Sequence, residues 1–159
     1  MIEDPSNTYI TRSYMFGGPW YFMNQLPNLS GADAVLAAKE VQIYKNTRGH
    51  IRNGQVFHLT PPPASGRIDA LESYDRSDDT AIAIVTREGG GADHAAIKLQ
   101  GLAATTTYRV HFQDDSAVLS MTGNQLSEEG VIVNLPVEQA AEIVYAEPLN
   151  SMSPATSPH

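Results

Sequence analysis

The sequence predicts a mainly β protein: an antiparallel β-sandwich preceded by one long α-helix and a short aromatic strand segment. Three observations carry that prediction. From residue 56 onward, short apolar runs alternate with clusters of Asp, Glu, Gly and Ser, the punctuation of an antiparallel sandwich. Between Leu29 and Gln55 the apolar residues switch to helical spacing. Ahead of that helix, six of the twelve aromatic residues of the chain lie between Tyr9 and Phe22.

The elements follow in order. Residues 1–8 are polar and loop-like. Tyr9 to Phe16 alternates loosely and reads as one strand, closed by Gly17-Gly18-Pro19, a sequence that permits a sharp change of direction. One strand cannot bury six aromatic rings alone, so this segment needs a partner surface. The helix from Leu29 to Gln55 has Ser30 as N-cap and Asp33 in the acidic position of a capping box. Leu36, Ile43, Tyr44, Thr47 and Ile51 share one face. Val35, Ala38 and Val41 widen it, which predicts packing on two neighbours. Gly49 and Asn53-Gly54 are stop signals.

Seven or eight short strands follow, at Val56–Leu59, Ile68–Tyr74, Thr80–Thr86, His94–Leu99, Tyr108–Gln113, Ala117–Thr122, Val131–Leu135 and Ala141–Ala146. Within them Tyr108, Val110 and Phe112 face one way, and Arg109, His111 and Gln113 the other. Gly123–Glu129 reads as one helical turn. The Ser/Pro-rich tail from Pro148 to His159 reads as disordered.

Composition excludes several function classes. In 159 residues the net charge is −8, with Lys and Arg scattered, which argues against nucleic acid or an anionic membrane as partner. There is no cysteine, so thiolate chemistry and cysteine-bound zinc are excluded and redox usage says nothing about compartment. No apolar run is long enough to span a membrane as a helix. The N-terminal stretch lacks the basic-then-apolar pattern of a signal peptide.

The residues that carry chemistry in other proteins are weakly patterned here. Asp78-Asp79 and Asp114-Asp115 are paired carboxylates, able in principle to hold calcium or do acid/base work. Each pair lies in a turn, where Asp is common for its local hydrogen bonds. Glu128-Glu129 reads as a solvated turn. His50, His58, His94 and His111 have no metal-ligand spacing. Ser13, Ser30 and Ser73 lack a nucleophile-elbow context. Gly89-Gly90-Gly91 precedes no helix and reads as a hairpin loop. No catalytic residue, cofactor or metal site is therefore assigned.

The order of the pieces resembles a known family. An aromatic Gly-Gly-Pro-Trp turn is followed by a helix ending Tyr44-Lys45-x-x-Arg48-x-x-Ile51-Arg52-x-Gly54, then Val56-Phe57-His58-Leu59 and a sandwich. Ala70-Leu71-Glu72-Ser73-Tyr74-Asp75, Gly101-Leu102, Tyr108-Arg109-Val110, Thr122-Gly123 with Leu126, and Gly130-Val131 continue the match. The series, covering roughly Tyr14 to Glu147, resembles the C-terminal end of melibiase-type α-galactosidases among the glycoside hydrolases.

The resemblance implies that residues 1–28 are the terminal strand and loop of a (β/α)8 barrel and 29–55 a connecting helix. It implies a sandwich over 56–147 and a tail over 148–159. It implies that both catalytic carboxylates sit on earlier barrel strands, upstream of this chain; a retaining glycosidase needs two carboxyl groups about 5–5.5 Å apart, and no motif here is assigned to either role. The chain is then the non-catalytic, barrel-bracing part of a fragmentary retaining glycoside hydrolase.

In such barrels the active site lies at the C-terminal ends of the strands, which makes Trp20 and Tyr21 the substrate-binding candidates, against a plain packing role. Expected partners are the barrel of the parent enzyme, contacted through Val35, Leu36, Ile43 and Tyr44, or self-association, with carbohydrate reached through the parent. The aromatic residues of Tyr9–Phe22 should then be exposed or covered by another chain. A carbohydrate-binding sandwich and a purely structural or interaction domain are the two alternatives.

Overall fold

The computed structural model describes residues 7–16, 20, 29–61 and 66–149. A short helix α1 (Thr8–Ser13) and the long helix α2 (Gly31–Asn53) precede eight strands: β1 (Gln55–His58), β2 (Ile68–Asp75), β3 (Thr80–Arg87), β4 (His94–Ile97), β5 (Thr107–Phe112), β6 (Val118–Thr122), β7 (Val131–Asn134) and β8 (Ala140–Pro148). A third helix, α3 (Gly123–Glu128), sits between β6 and β7. Six strands form one sheet in the order β1-β2-β3-β8-β5-β6, and β4 pairs with β7 in a second. Every pairing is antiparallel.

The large sheet is covered on both faces, and β3 shows how. Its Ala81, Ala83 and Val85 join Tyr108, Val110 and Val144 in a core closed by Ile97 of β4, Val131 and Val133 of β7 and Leu126 of α3. Its Ile82 and Ile84 point the other way, where they meet Ile143, Met15 and Ile43 under the helical layer. The period-two alternation of strand side chains thus feeds two cores from one strand. The mainly β class and the sandwich hold, with the helices forming a third layer on the outer face.

The long helix lies where its signals placed it. Ser30 Oγ accepts from Asp33 N at 3.1 Å, and Gly54 N closes the other end on His50 O at 2.8 Å. A Cβ on Gly54 would come within 2.1 Å of Ser73 Oγ, so this cap must be glycine for the helix to seat on β2. Gly49 does not stop the helix; it lies within it.

One element differs in kind. The segment read as a strand from Tyr9 to Phe16 is α1 followed by a turn. Asn7 caps it, its Oδ1 accepting from Ile10 N at 3.0 Å. The run of Thr8, Tyr9, Ile10 and Thr11 favours β structure locally, but the helical period carries Thr11, Arg12 and Met15 together onto the sheet, and tertiary burial overrides propensity. At the other end, β8 runs through Pro148, which stands opposite Tyr108, so the ordered structure continues into the region read as tail. Residues 150–159 lie outside the described residues.

The turn between β2 and β3 is fixed by Asp79, a non-glycine residue at φ 57°. Its carboxylate accepts from Tyr74 Oη at 2.9 Å and from Tyr108 Oη, which itself accepts from Ala103 N at 2.8 Å. The Tyr74 ring lies so close to Gly101 that a Cβ there would meet Cδ1 at 2.5 Å. Asp79→Ala should therefore cost about 3 kcal/mol in urea unfolding, from two lost charge-assisted bonds and a left-handed alanine. Asp79→Gly should cost about 1 kcal/mol less; equal losses would show that the backbone there is unstrained.

Glu72, with no exposed surface, points into the sandwich opposite Ala83. Its Oε2 accepts from Gln100 N at 2.9 Å and its Oε1 has no hydrogen-bond partner among the described residues. Burial pushes its pKa up to about 8, against the smaller lowering effect of the Gln100 bond. The folded protein thus binds a proton that the unfolded chain, with a carboxyl near 4.5, releases first. Stability supplied by the neutral acid is present at low pH and lost as pH rises from about 4.5 to about 8. Glu72→Gln should flatten that decline and raise the melting temperature at pH 8 but not at pH 4, as thermal scans across pH would read.

Candidate functional site

The helical layer meets the sheet at a corner built around Arg12, whose side chain has no exposed surface. Its Nε and Nη2 grip Glu40 of α2 at 3.0 and 2.8 Å, a bidentate pair. Its Nη1 donates to Asp114 Oδ2 at 2.6 Å and to Ala141 O of β8 at 2.8 Å. Lys39 Nζ reaches the other oxygen of Asp114 at 2.6 Å. Burial alone would raise the Asp114 carboxyl, but the bonds from Arg12 and Lys39 hold it below its usual value.

Beside this cluster, Glu142 Oε1 accepts from the backbone N–H of Gln113, Asp114 and Ile143 at 3.0, 3.1 and 2.8 Å. Its Oε2 accepts from Asp115 N at 3.2 Å. Burial still leaves its pKa above the ordinary value, the Ile143 and Asp114 bonds offsetting only part of that rise.

Trp20 stands over this corner. Its indole Nε1 donates to Thr11 O at 2.9 Å, and its ring packs on Tyr44 with centroids 5.0 Å apart and planes at 31°. Tyr44 in turn forms one wall of an open groove of about 630 Å3, with Met15, Phe16 and Ile51 as further apolar lining and Lys45, Arg48 and Arg52 as a cationic rim. An aromatic wall beneath a row of cations suits a partner offering carboxylates beside apolar surface. Tyr21 lies outside the described residues.

No protein-family model matches the chain, and no curated protein matches it. Solved structures do. An α-galactosidase from Lactobacillus brevis superposes with a TM-score of 0.70 at 16% identity, over 94% of this chain and 20% of that one. The galactosidase domain of the α-galactosidase–sucrose kinase AgaSK gives 0.64 at 21% identity, over 76% and 17%. The chain folds like part of an α-galactosidase. The GH36 α-galactosidase AgaA from Geobacillus stearothermophilus shows the same likeness, with a TM-score of 0.63 at 16% identity over 78% of this chain and 17% of that one. This chain thus spans 17–20% of those α-galactosidase chains, consistent with a C-terminal piece of them.

Within the α-galactosidase-like fold the acidic pairs have structural partners. Asp78 Oδ1 accepts from Thr80 Oγ1 at 2.7 Å, Asp79 holds two tyrosines, Asp114 holds Arg12 and Lys39, and Asp115 Oδ1 accepts from Ala117 N at 2.9 Å. Glu128 and Glu129 are exposed at the end of α3. His94 pairs with Asp93 at 2.8 Å, and His58 is exposed on β1. His50 and His111 line one cleft between α2 and the sheet. No group of three metal-ligating side chains converges among the described residues. Ser30 caps α2, Ser73 Oγ donates to His50 O at 3.2 Å, and Ser13 Oγ to Ile10 O at 3.1 Å.

Of the residues expected to carry the barrel contact, Ile43 is buried against the sheet and Tyr44 lies under Trp20, while Val35 and Leu36 are exposed. The sequence reading missed the Arg12–Glu40 pair. A signal existed: Glu40 falls on the same helical face as Ala37, Ile43 and Thr47, where a carboxylate requires a buried partner. Arg12→Met should cost about 3–5 kcal/mol by stranding Glu40, and adding Glu40→Leu should restore most of that stability. A double-mutant cycle in guanidinium reads this, and additive losses would refute the pairing.

Proposed function

We propose that this chain is the C-terminal, non-catalytic part of an α-galactosidase-like glycoside hydrolase, and that its helical layer braces the catalytic barrel. The observation that carries the reading is the asymmetry of coverage. The fold matches 94% of this chain but only a fifth of the Lactobacillus brevis α-galactosidase, 20% of its length. The engagement of the carboxylates supports the non-catalytic part. Glu40 is consumed by Arg12, Glu142 by backbone N–H groups and Asp79 by tyrosines, so these three acids act on the fold itself.

The surface of the helical layer supports the bracing part. Val35 is 70% and Tyr14 54% exposed, and Leu36 also faces solvent. Ala32, Ala34 and Ala38 extend the exposed apolar stretch along the first turns of α2. Helices hold such surface when a partner covers it. The cationic groove beside it would take acidic side chains of the same partner. Trp20, with its N–H and ring both engaged inside the chain, fits a packing role better than one bordering a sugar.

The purified chain should release no phenol from an aryl α-galactoside. Light scattering should show self-association that Val35→Lys with Leu36→Lys reduces. Turnover would overturn the non-catalytic reading, and a monomer at every concentration would remove the support drawn from the exposed apolar strip.

A further inference from the structure

A second concavity lies between α2 and the outer face of β3, β8 and β5, an open cleft of about 520 Å3. This size is within the usual range for small-molecule sites. Its centre is a pair of rings from directly opposed residues: His111 of β5 stacks on Tyr145 of β8, with centroids 4.8 Å apart and planes at 12°. Burial lowers the His111 pKa, with Glu147 opposing that effect and Arg109 adding to it.

The polar groups around the rings are each committed on one side only. Tyr145 Oη donates to Gln113 Oε1 at 2.8 Å, which fixes the phenol and leaves the Gln113 amide nitrogen as a donor. Asp78 spends Oδ1 on Thr80, leaving Oδ2 as an acceptor. Glu147 Oε2 lies 3.5 Å from Arg109 Nη1 and 3.7 Å from His111 Nε2, leaving Oε1. His50 Nε2 sits 3.0 Å from Thr80 Oγ1, while its Nδ1 and the Nε2 of His111 are sealed from solvent, so the two imidazoles present ring surface and not hydrogen-bonding atoms. The cleft therefore offers ring surface, carboxylate acceptors and an amide donor, and no Lys or Arg lines it.

We propose that this cleft binds a single neutral hexose unit, making the outer face of the sheet a non-catalytic sugar site. Two carboxylates on the rim disfavour phosphate and other anions. An apolar ligand would strand the half-committed polar groups. Hydroxyl groups both donate and accept, which matches acceptors on Asp78 and Glu147 with a donor on Gln113. The outward face of this stacked pair supplies the flat apolar surface against which the C–H face of a pyranose packs. This site is separate from the groove at Tyr44, and the inference does not rest on the chain's being part of a hydrolase.

Titration of the full chain with D-galactose, methyl α-D-galactopyranoside and D-glucose, followed by calorimetry and by proton NMR of the His111 and Tyr145 rings, tests this. Saturable binding at millimolar concentrations with shifts at both rings is expected for at least one sugar. Gln113→Ala and His111→Ala should each weaken it about fivefold or more. Arg48→Ala, in the other groove, should leave it unchanged, and circular dichroism identifies any variant that has not folded. No saturable response to any of the three sugars would overturn the proposal. So would a response that survives both cleft variants in folded form, or binding of choline in place of sugar. Sugar binding without turnover leaves the non-catalytic reading intact, and turnover without binding in this cleft would separate the two.

Discussion

A guanidinium sealed from water governs this architecture. Moving Arg12 out of solvent costs several kcal/mol, and only a fully paired environment offsets that. Here the partners come from far apart in the sequence: Glu40 on α2, Asp114 in the turn after β5, and the carbonyl of Ala141 at the start of β8. None of the three can shift without stranding a charge. The short helix α1, too short to persist alone, is held by this demand, and with it the position of Trp20. Glu142 repeats the device with the opposite charge, gathering the backbone of the β5–β6 turn around one carboxylate.

The sheet depends on the same arrangement. A strand buried on both faces, like β3, needs a cover on each side, and the helical layer can cover the outer face only if α1 and α2 are locked to each other. Ile82, Ile84 and Ile143 supply the apolar contact, while the ion pair sets the register between helix and sheet. Hydrophobic burial is non-directional, and the buried charges supply the direction it lacks.

Much of this was legible in the residues, for identifiable reasons. All eight strands lie where alternation and turn residues put them, because the Asp- and Gly-rich connections set their limits. The helical turn read over Gly123–Glu129 is α3, which the structure shows to be closed by a capping box between Thr122 and Gln125. The long helix was bounded by Ser30 and Gly54 for the same kind of local reason. Failures came where distant contacts decided. Tyr9–Phe16 reads as strand by propensity, yet Thr8–Ser13 is helix by virtue of Arg12. Gly49 reads as a stop, yet the helix continues to Asn53 and Ile51 packs against the outer-face core of Ile43, Ile82 and Ile143. The motif series held up as structure: Tyr74, Gly101 and Tyr108 form the corner around Asp79, and Gly54 seats the helix. The cleft at His111 and Tyr145 was hidden because the two residues are opposed across strands and far apart in sequence, although the alternation of β5 had already put His111 on the outer face.

The strand order has a consequence for how such a chain comes to be folded at all. The last of the described strands, β8, lies in the interior of the large sheet, between β3 and β5. During synthesis every earlier strand is made before the one that joins them. β1, β2 and β3 form one meander and β5 with β6 a hairpin, each with an open edge awaiting the same segment. Until Ala140–Pro148 leaves the ribosome, neither core can close and Arg12 has no carbonyl at Ala141 to meet. The chain must therefore complete its sheet late, through contacts of long sequence separation, with two unpaired strand edges open to the wrong partner in the interval.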